Sequence, residues 1–143
     1  FEQRIYIPLP TLSDRESLFK LNMKGIIVGE DVRVAELSQT LEGKYYSCAD
    51  ITTVIRDAAM RPMRRFMYGD KSNVSSDENK SFSSSSMVLR RDDVFKNPHK
   101  YEEELSKLPV TMQDFKDALK SVPSSVKKDQ ITMLEDWRAQ FSI

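Results

Sequence analysis

Apolar positions along the chain follow two different periods. Over Arg4 to Leu9 they alternate, with Ile5, Ile7 and Leu9 set against Arg4, Tyr6 and Pro8, which is the period of a half-buried strand. Pro8 and Pro10 cannot donate to a ladder, so this strand is expected to stop there or to lie at a sheet edge. Beyond it the period becomes helical. Ser13-Asp14-Arg15-Glu16 has the capping-box pattern, and Leu18, Phe19 and Leu21 supply the apolar face of a helix ending near Gly25. Asp31 is placed to cap a second helix with Val34, Leu37 and Leu41 on one side. Ser47-Cys48-Ala49-Asp50 repeats the box with Asp in the reciprocal position. The stripe behind it, Ile51, Val54, Ile55, Ala58 and Ala59, is wide enough for full burial. Pro62 has no N–H, which predicts a kink or an end nearby.

The second half is more polar. Ser72 to Ser86 holds eight serines in fifteen residues, a composition with too little apolar surface to offset ordering entropy, so a mobile linker is expected there. Its serines are also phosphorylation candidates, because added charge orders or repels a loop. Arg90 to Leu108 is charged, with one short helix around Tyr101-Glu102-Glu103-Glu104-Leu105, whose acids read as a charged face and not as a catalytic pair. Thr111-Met112-Gln113-Asp114 caps a firmer helix with Phe115, Ala118 and Leu119 facing inward, and Val122-Pro123 ends it. A last helix spans about Val126 to Phe141, with Ile131, Leu134, Trp137 or Arg138, and Phe141 along one face. The sum is a mainly α chain: a helical bundle carrying one residual strand.

Composition narrows the chemistry. The 143 residues are 39% hydrophobic and 31% charged, with 22 basic and 22 acidic side chains. That balance provides no global field for nucleic acid or an anionic membrane. Apolar runs as short as Gly25-Ile26-Ile27-Val28 predict no transmembrane segment, and the chain opens without a basic-then-apolar leader. A single Cys48 and a single His99 provide neither an internal disulfide nor a zinc set, so no metal is expected and a reducing, cytoplasmic or nuclear setting is the default. His99 reads as a loop residue. No G-x-x-x-x-G-K-[ST] loop is present to cradle phosphates. No catalytic residue is therefore assigned.

Three groups of residues are candidates for function. Asp50 reads first as a cap that fixes the start of a helix, an effect of about 1 kcal/mol, in preference to a functional role. Cys48 is expected as a small packed residue, with a redox-sensing thiol at a helix N-terminus as the alternative. Arg61, Arg64 and Arg65 either complement a helix dipole in solvent, the favoured reading, or contact a neighbouring protomer or an acidic polymer.

Several motifs, in order, resemble the junction and lid of an AAA ATPase of the branch containing katanin, spastin, fidgetin and the ESCRT-disassembling ATPase of vacuolar sorting. They are Phe1-Glu2-Gln3-Arg4-Ile5-Tyr6-Ile7-Pro8-Leu9-Pro10, then Ser47-Cys48-Ala49-Asp50-Ile51, then Arg56-Asp57-Ala58-Ala59-Met60-Arg61-Pro62-Met63-Arg64-Arg65. The family's lid motif is G-[YF]-[ST]-G-A-D-[IL]. Here Lys44 and Tyr45 stand as an insertion after Gly43, and Cys48 replaces the Gly before Ala49-Asp50. Leu108-Pro109-Val110-Thr111-Met112-Gln113-Asp114-Phe115, Ala118-Leu119-Lys120-Ser121-Val122, Ser124-Ser125-Val126, and Trp137 with Phe141 are similar to the catalytic chains of katanin.

The resemblance implies the following. The fold is an AAA small (lid) helical-bundle domain with one residual strand of the parent sheet and a C-terminal helix. Residues 1–10 end the large domain, 11–68 begin the lid, 69–108 form a serine-rich, charged and partly disordered insertion, and 109–143 hold the last lid helix and the C-terminal helix. Ser47, Cys48, Ala49 and Asp50 lie on the adenine side, and Arg61, Arg64 and Arg65 at an interface between protomers. The parent uses ATP or ADP with magnesium and works as a homo-hexamer in the cytoplasm, with the cytoskeleton as a candidate location. Its implied activity is katanin-like severing of microtubules, or alternatively disassembly of ESCRT polymers. This chain alone is expected to bind no cofactor tightly and to hydrolyse nothing. A reading of another class is a non-enzymatic helical interaction module.

Overall fold

In the computed structural model, residues 5–68 and 92–141 are described, and the serine-rich tract from Ser72 to Ser86 lies outside them. The longest helix, α3 (Cys48–Tyr68), runs through the middle. Its Ile51, Val54, Ile55 and Ala58 are fully buried, as the stripe predicts. Helix α1 (Leu12–Asn22) packs on one side of it, with α2 (Val34–Thr40) beside α1. Helix α5 (Met112–Ser121) packs on the other. Between α3 and α5 in sequence come a helical stretch over 92–96 and α4 (Pro98–Ser106). Helix α6 (Lys128–Phe141) closes the chain.

One core joins these helices: Phe19 of α1, Leu37 and Leu41 from α2 and its end, the α3 stripe, and Val110, Phe115 and Ala118. Phe19 and Phe115 meet edge to face with ring centroids 6.3 Å apart, the geometry aromatic quadrupoles favour.

Polar side chains set how the helices join. Thr111 and Asp114 form the expected box at the start of α5: the Asp114 carboxylate accepts the Thr111 N–H at 2.9 Å. The same carboxylate, 2% exposed, accepts two donors of the Arg65 guanidinium and so ties α5 to α3. Arg15, buried in α1, donates to the carbonyls of Ser38 at 3.1 Å and Pro10 at 3.2 Å, and pairs with Glu42.

Five expectations need correction. The strand from Arg4 to Leu9 does not form over the described residues 5–9: a strand needs a partner, and no neighbouring strand lies among the described residues. The β contact present there is a single parallel bridge, Val28 to Val110. The box on α1 is Thr11 with Asp14, two residues earlier than Ser13 with Glu16; this register turns Arg15 and Phe19 inward. Asp31 does not cap α2, whose N-cap is Arg33 without a side-chain bond. It caps α5 instead, accepting the Met112 N–H at 2.9 Å across 81 residues. Gly29 makes room for this, since a Cβ there would stand 2.6 Å from Asp31 Oδ1. Helix α3 does not end at Pro62, one of the two outcomes expected there, but continues to Tyr68. The backbone bond lost at Pro62 is offset downstream by the burial of Met67 and the Arg65–Asp114 pair. Finally, His99 lies in α4, exposed, and not in a loop.

Asp114 serves both a helix cap and an inter-helix ion pair. Asp114→Ala should therefore lower the free energy of urea unfolding by about 3 kcal/mol, one part from the cap and the larger part from the charge-assisted bonds. A loss no greater than that of an isolated cap would show the Arg65 pair to be inconsequential.

Candidate functional site

The first turn of α3 is built by a chain of local bonds. Ser47 Oγ accepts the Asp50 N–H at 3.2 Å, and Asp50 Oδ2 accepts the Ser47 N–H at 3.0 Å and its hydroxyl at 2.8 Å. This is the box read from the sequence, here with all three bonds made. Cys48 and Ala49 occupy the outer side of the turn and are exposed, while Asp50 is 8% exposed. Cys48 is therefore not the packed residue expected: its place in the capped turn points away from the stripe at Ile51 and Val54.

A second set of bonds reaches Asp50 from the far end of the chain. The Ser125 N–H at 3.2 Å and the Ser125 hydroxyl at 2.9 Å both donate to the same Oδ2. Ser124 Oγ donates to the Tyr45 carbonyl at 2.7 Å, and Tyr46 Oη donates to the Val122 carbonyl at 2.5 Å. Tyr45 takes a left-handed backbone, φ 56°, at a cost of about 1 kcal/mol for a non-glycine residue. That conformation places its carbonyl and the Tyr46 ring against the connection between α5 and α6. A clasp thus joins residues 45–50 to residues 122–126. Burial pushes the Asp50 carboxyl up, but the donors from Ser47 and Ser125 outweigh it and hold the pKa below its ordinary value of 3.8.

The arginines lie elsewhere on α3. Arg61 Nη2 donates to Asp57 Oδ2 at 2.7 Å and to Ser121 Oγ at 2.8 Å. Arg64 donates to the other Asp57 oxygen at 3.1 Å with its side chain 54% exposed, and Arg65 holds Asp114. Because α3 runs on to Tyr68, only Arg65 stands in the last turn, where the dipole argument applies. On α6 no residue is buried, so the Trp137 and Phe141 stripe is not core within this chain; those two rings pack on each other with centroids 5.4 Å apart.

Among the described residues no cluster of His, Cys, Asp and Glu could hold a metal ion, and no helix is long and apolar enough to cross a membrane. For a nucleotide, the outer side of residues 47–50 offers small exposed side chains on which a flat base could rest. The sequence contains no loop for the phosphates.

Residues 92–141 match the family described as the Vps4 C terminal oligomerisation domain. Over 140 residues, 98% of its length, the chain is 36% identical to the katanin p60 A-like 1 ATPase of Danio rerio and 35% identical to that of Homo sapiens. A structure described under the structural basis for katanin self-assembly superposes over 96% of the chain at TM-score 0.67 and 26% identity. The chain belongs to the katanin branch of the AAA ATPases. It corresponds to the C-terminal part of such a protein, spanning 24% of the length of these curated katanin relatives and 40% of that solved katanin chain. The FIGL-1 AAA domain, solved in complex with ADP, shares the fold at TM-score 0.66 and 21% identity. The helical bundle is thus the lid fold of katanin and FIGL-1 AAA domains.

Of the residues singled out in the sequence, Ser47 and Asp50 are brought together and Cys48 and Ala49 are presented beside them. The arginines form a separate group. Ser124, Ser125 and Tyr46 brace the first turn of α3 from behind; Ser124-Ser125-Val126 is katanin-like in sequence, but nothing local shows that the fold sets it on Asp50 and Tyr45.

Asp50→Ala should cost about 2 kcal/mol at neutral pH, from the cap and the Ser125 bonds together. The folded carboxyl is the stronger acid, so on acidification the unfolded chain binds the proton first. The stabilisation is complete above 3.8 and is lost as pH falls through the lower folded value. The gap between wild-type and Asp50→Ala urea midpoints should therefore close in acid. A constant gap would contradict the assignment.

Proposed function

We propose that this chain is the lid of an ATP-driven remodelling ATPase whose ring, a hexamer, severs microtubules in the manner the katanin name implies. The observation that carries the reading is whole-length similarity to katanin combined with an intact, doubly braced first turn of α3. In this reading residues 1–10 end the large domain, 11–68 and 109–143 make the lid and C-terminal helix, and 69–108 interrupt them. Ser47, Cys48, Ala49 and Asp50 border the adenine of ATP or ADP, while the phosphates and magnesium are held by the large domain. The nucleotide supplies the free energy of hydrolysis; this chain's residues orient the base side and exclude water from it. The chain by itself hydrolyses nothing.

Of the three interface arginines, Arg64 is the most exposed and the best placed to reach a neighbouring protomer, since Arg61 and Arg65 hold Asp57, Ser121 and Asp114. The setting is cytoplasmic, on or near the cytoskeleton. A second reading, from the motif resemblance, is disassembly of ESCRT polymers; the match of residues 92–141 to the Vps4 C terminal oligomerisation domain supports assembly of the parent under either. Incubating the full-length ATPase with taxol-stabilised microtubules and with ESCRT filaments, each with ATP, separates the two by which polymer shortens.

Cys48 provides a direct test of the nucleotide side. In the full-length protein, alkylation of Cys48 by iodoacetamide, followed by peptide mass spectrometry, should slow about tenfold at an ADP concentration ten times its Kd, because only free protein reacts. Alkylation at an unchanged rate would place the nucleotide elsewhere and sink the proposal.

A further inference from the structure

Helix α6 has no buried residue; toward its far end Arg138 lies over the Tyr6 ring, 5.2 Å from the centroid. The start of the helix is fixed by polar bonds. Ser124 Oγ donates to the Tyr45 carbonyl at 2.7 Å and accepts the Val126 N–H at 3.2 Å, which stiffens the turn entering the helix. Tyr46 Oη holds Val122 just upstream. Ser125, exposed on its outer side, places both of its donors on Asp50 Oδ2. That one oxygen therefore accepts four donors, two from Ser47 at the first turn of α3 and two from Ser125, 75 residues away.

We propose that Ser125 is a positioning residue that couples the first turn of α3 to helix α6. The inference rests on the nucleotide-facing reading above and adds to it a route out of the site. The physical basis is that Asp50 has no independent position. Its carboxylate is fixed to the turn through Ser47, so a displacement of the turn either carries Ser125 along or leaves two donors without an acceptor in a half-buried place. Tyr46 and Ser124 remove the slack by which the connection would otherwise absorb the movement. Nucleotide at Cys48 and Ala49 thereby biases the orientation of α6. Thermodynamic linkage makes the effect reciprocal: whatever docks on α6 alters nucleotide affinity by the same factor. Met133, Leu134 and Phe141 on α6 are exposed.

The test uses the full-length protein as wild type, Ser125→Ala and Ser125→Thr, with hydrogen exchange followed over residues 128–141 and Cys48 alkylation as the measure of ADP binding. In the wild type, ADP should change exchange in α6. In Ser125→Ala that response should be lost while ADP still protects Cys48 with a Kd within a few-fold of wild type. Ser125→Thr, which keeps the hydroxyl, should restore it. A purely structural serine would alter exchange in α6 equally with and without ADP, and that result overturns the inference. So does a wild-type helix that is silent while ADP protects Cys48. If ADP fails to protect Cys48 in the wild type, the nucleotide reading itself falls and this inference falls with it.

Discussion

The carboxylate of Asp50 joins the first turn of α3 to the loop that launches α6. Four donors converge on one of its oxygens, two from the residue that caps α3 and two from the loop that launches α6. A buried carboxylate without donors would be costly, and one with this many is held ionised and immobile. The bundle's hydrophobic core fixes α1, α2, α3 and α5 against each other. It buries no residue of α6, and the last helix is held by the bonds at its start, nearest the candidate nucleotide site, and by Arg138 over the Tyr6 ring at its far end.

Asp114 and Asp31 repeat the principle on the other side of α3. Asp114 closes the first turn of α5 and takes Arg65 from α3. Asp31, lodged beside Gly29, closes the same turn from outside. The starts of α3 and α5 are junctions: each capping carboxylate also accepts a donor from a second element, so the helices keep their relative positions without large side chains at every contact. For a lid in an ATPase of the katanin branch, such joints suit a part that moves as a body.

The helices were legible where the pattern was local. The stripe from Ile51 to Ala59 and the boxes at Ser47 and Thr111 depend on spacings of three and four residues, and each forms where the pattern places it. The box on α1 was ambiguous because T-x-x-D and S-x-x-E overlap there, and burial of Phe19 and Arg15 decided between them. Pro62 was misleading because the cost of one lost hydrogen bond is visible in sequence, whereas the Arg65–Asp114 pair that offsets it spans 49 residues. A still longer separation hid the roles of Asp31 and Ser125. Arg4 to Leu9 has the alternation of a strand, and alternation predicts readiness to pair, not the presence of a partner. The candidate site was half legible for these reasons: Ser47 to Asp50 from a motif, the contacts of Tyr46, Ser124 and Ser125 only from the fold.

If this lid belongs to a machine whose assembly is governed by nucleotide at the first turn of α3, ring formation must depend on both the nucleotide and Asp50. Sedimentation velocity of the full-length protein should be run without nucleotide, with ADP and with a slowly hydrolysed ATP analogue, beside Asp50→Ala. Ring-sized particles should appear with the ATP analogue only, with a marked shift toward smaller species when Asp50 is replaced. Particles whose size is indifferent to nucleotide, or an Asp50→Ala variant that assembles as the wild type does, would refute that dependence.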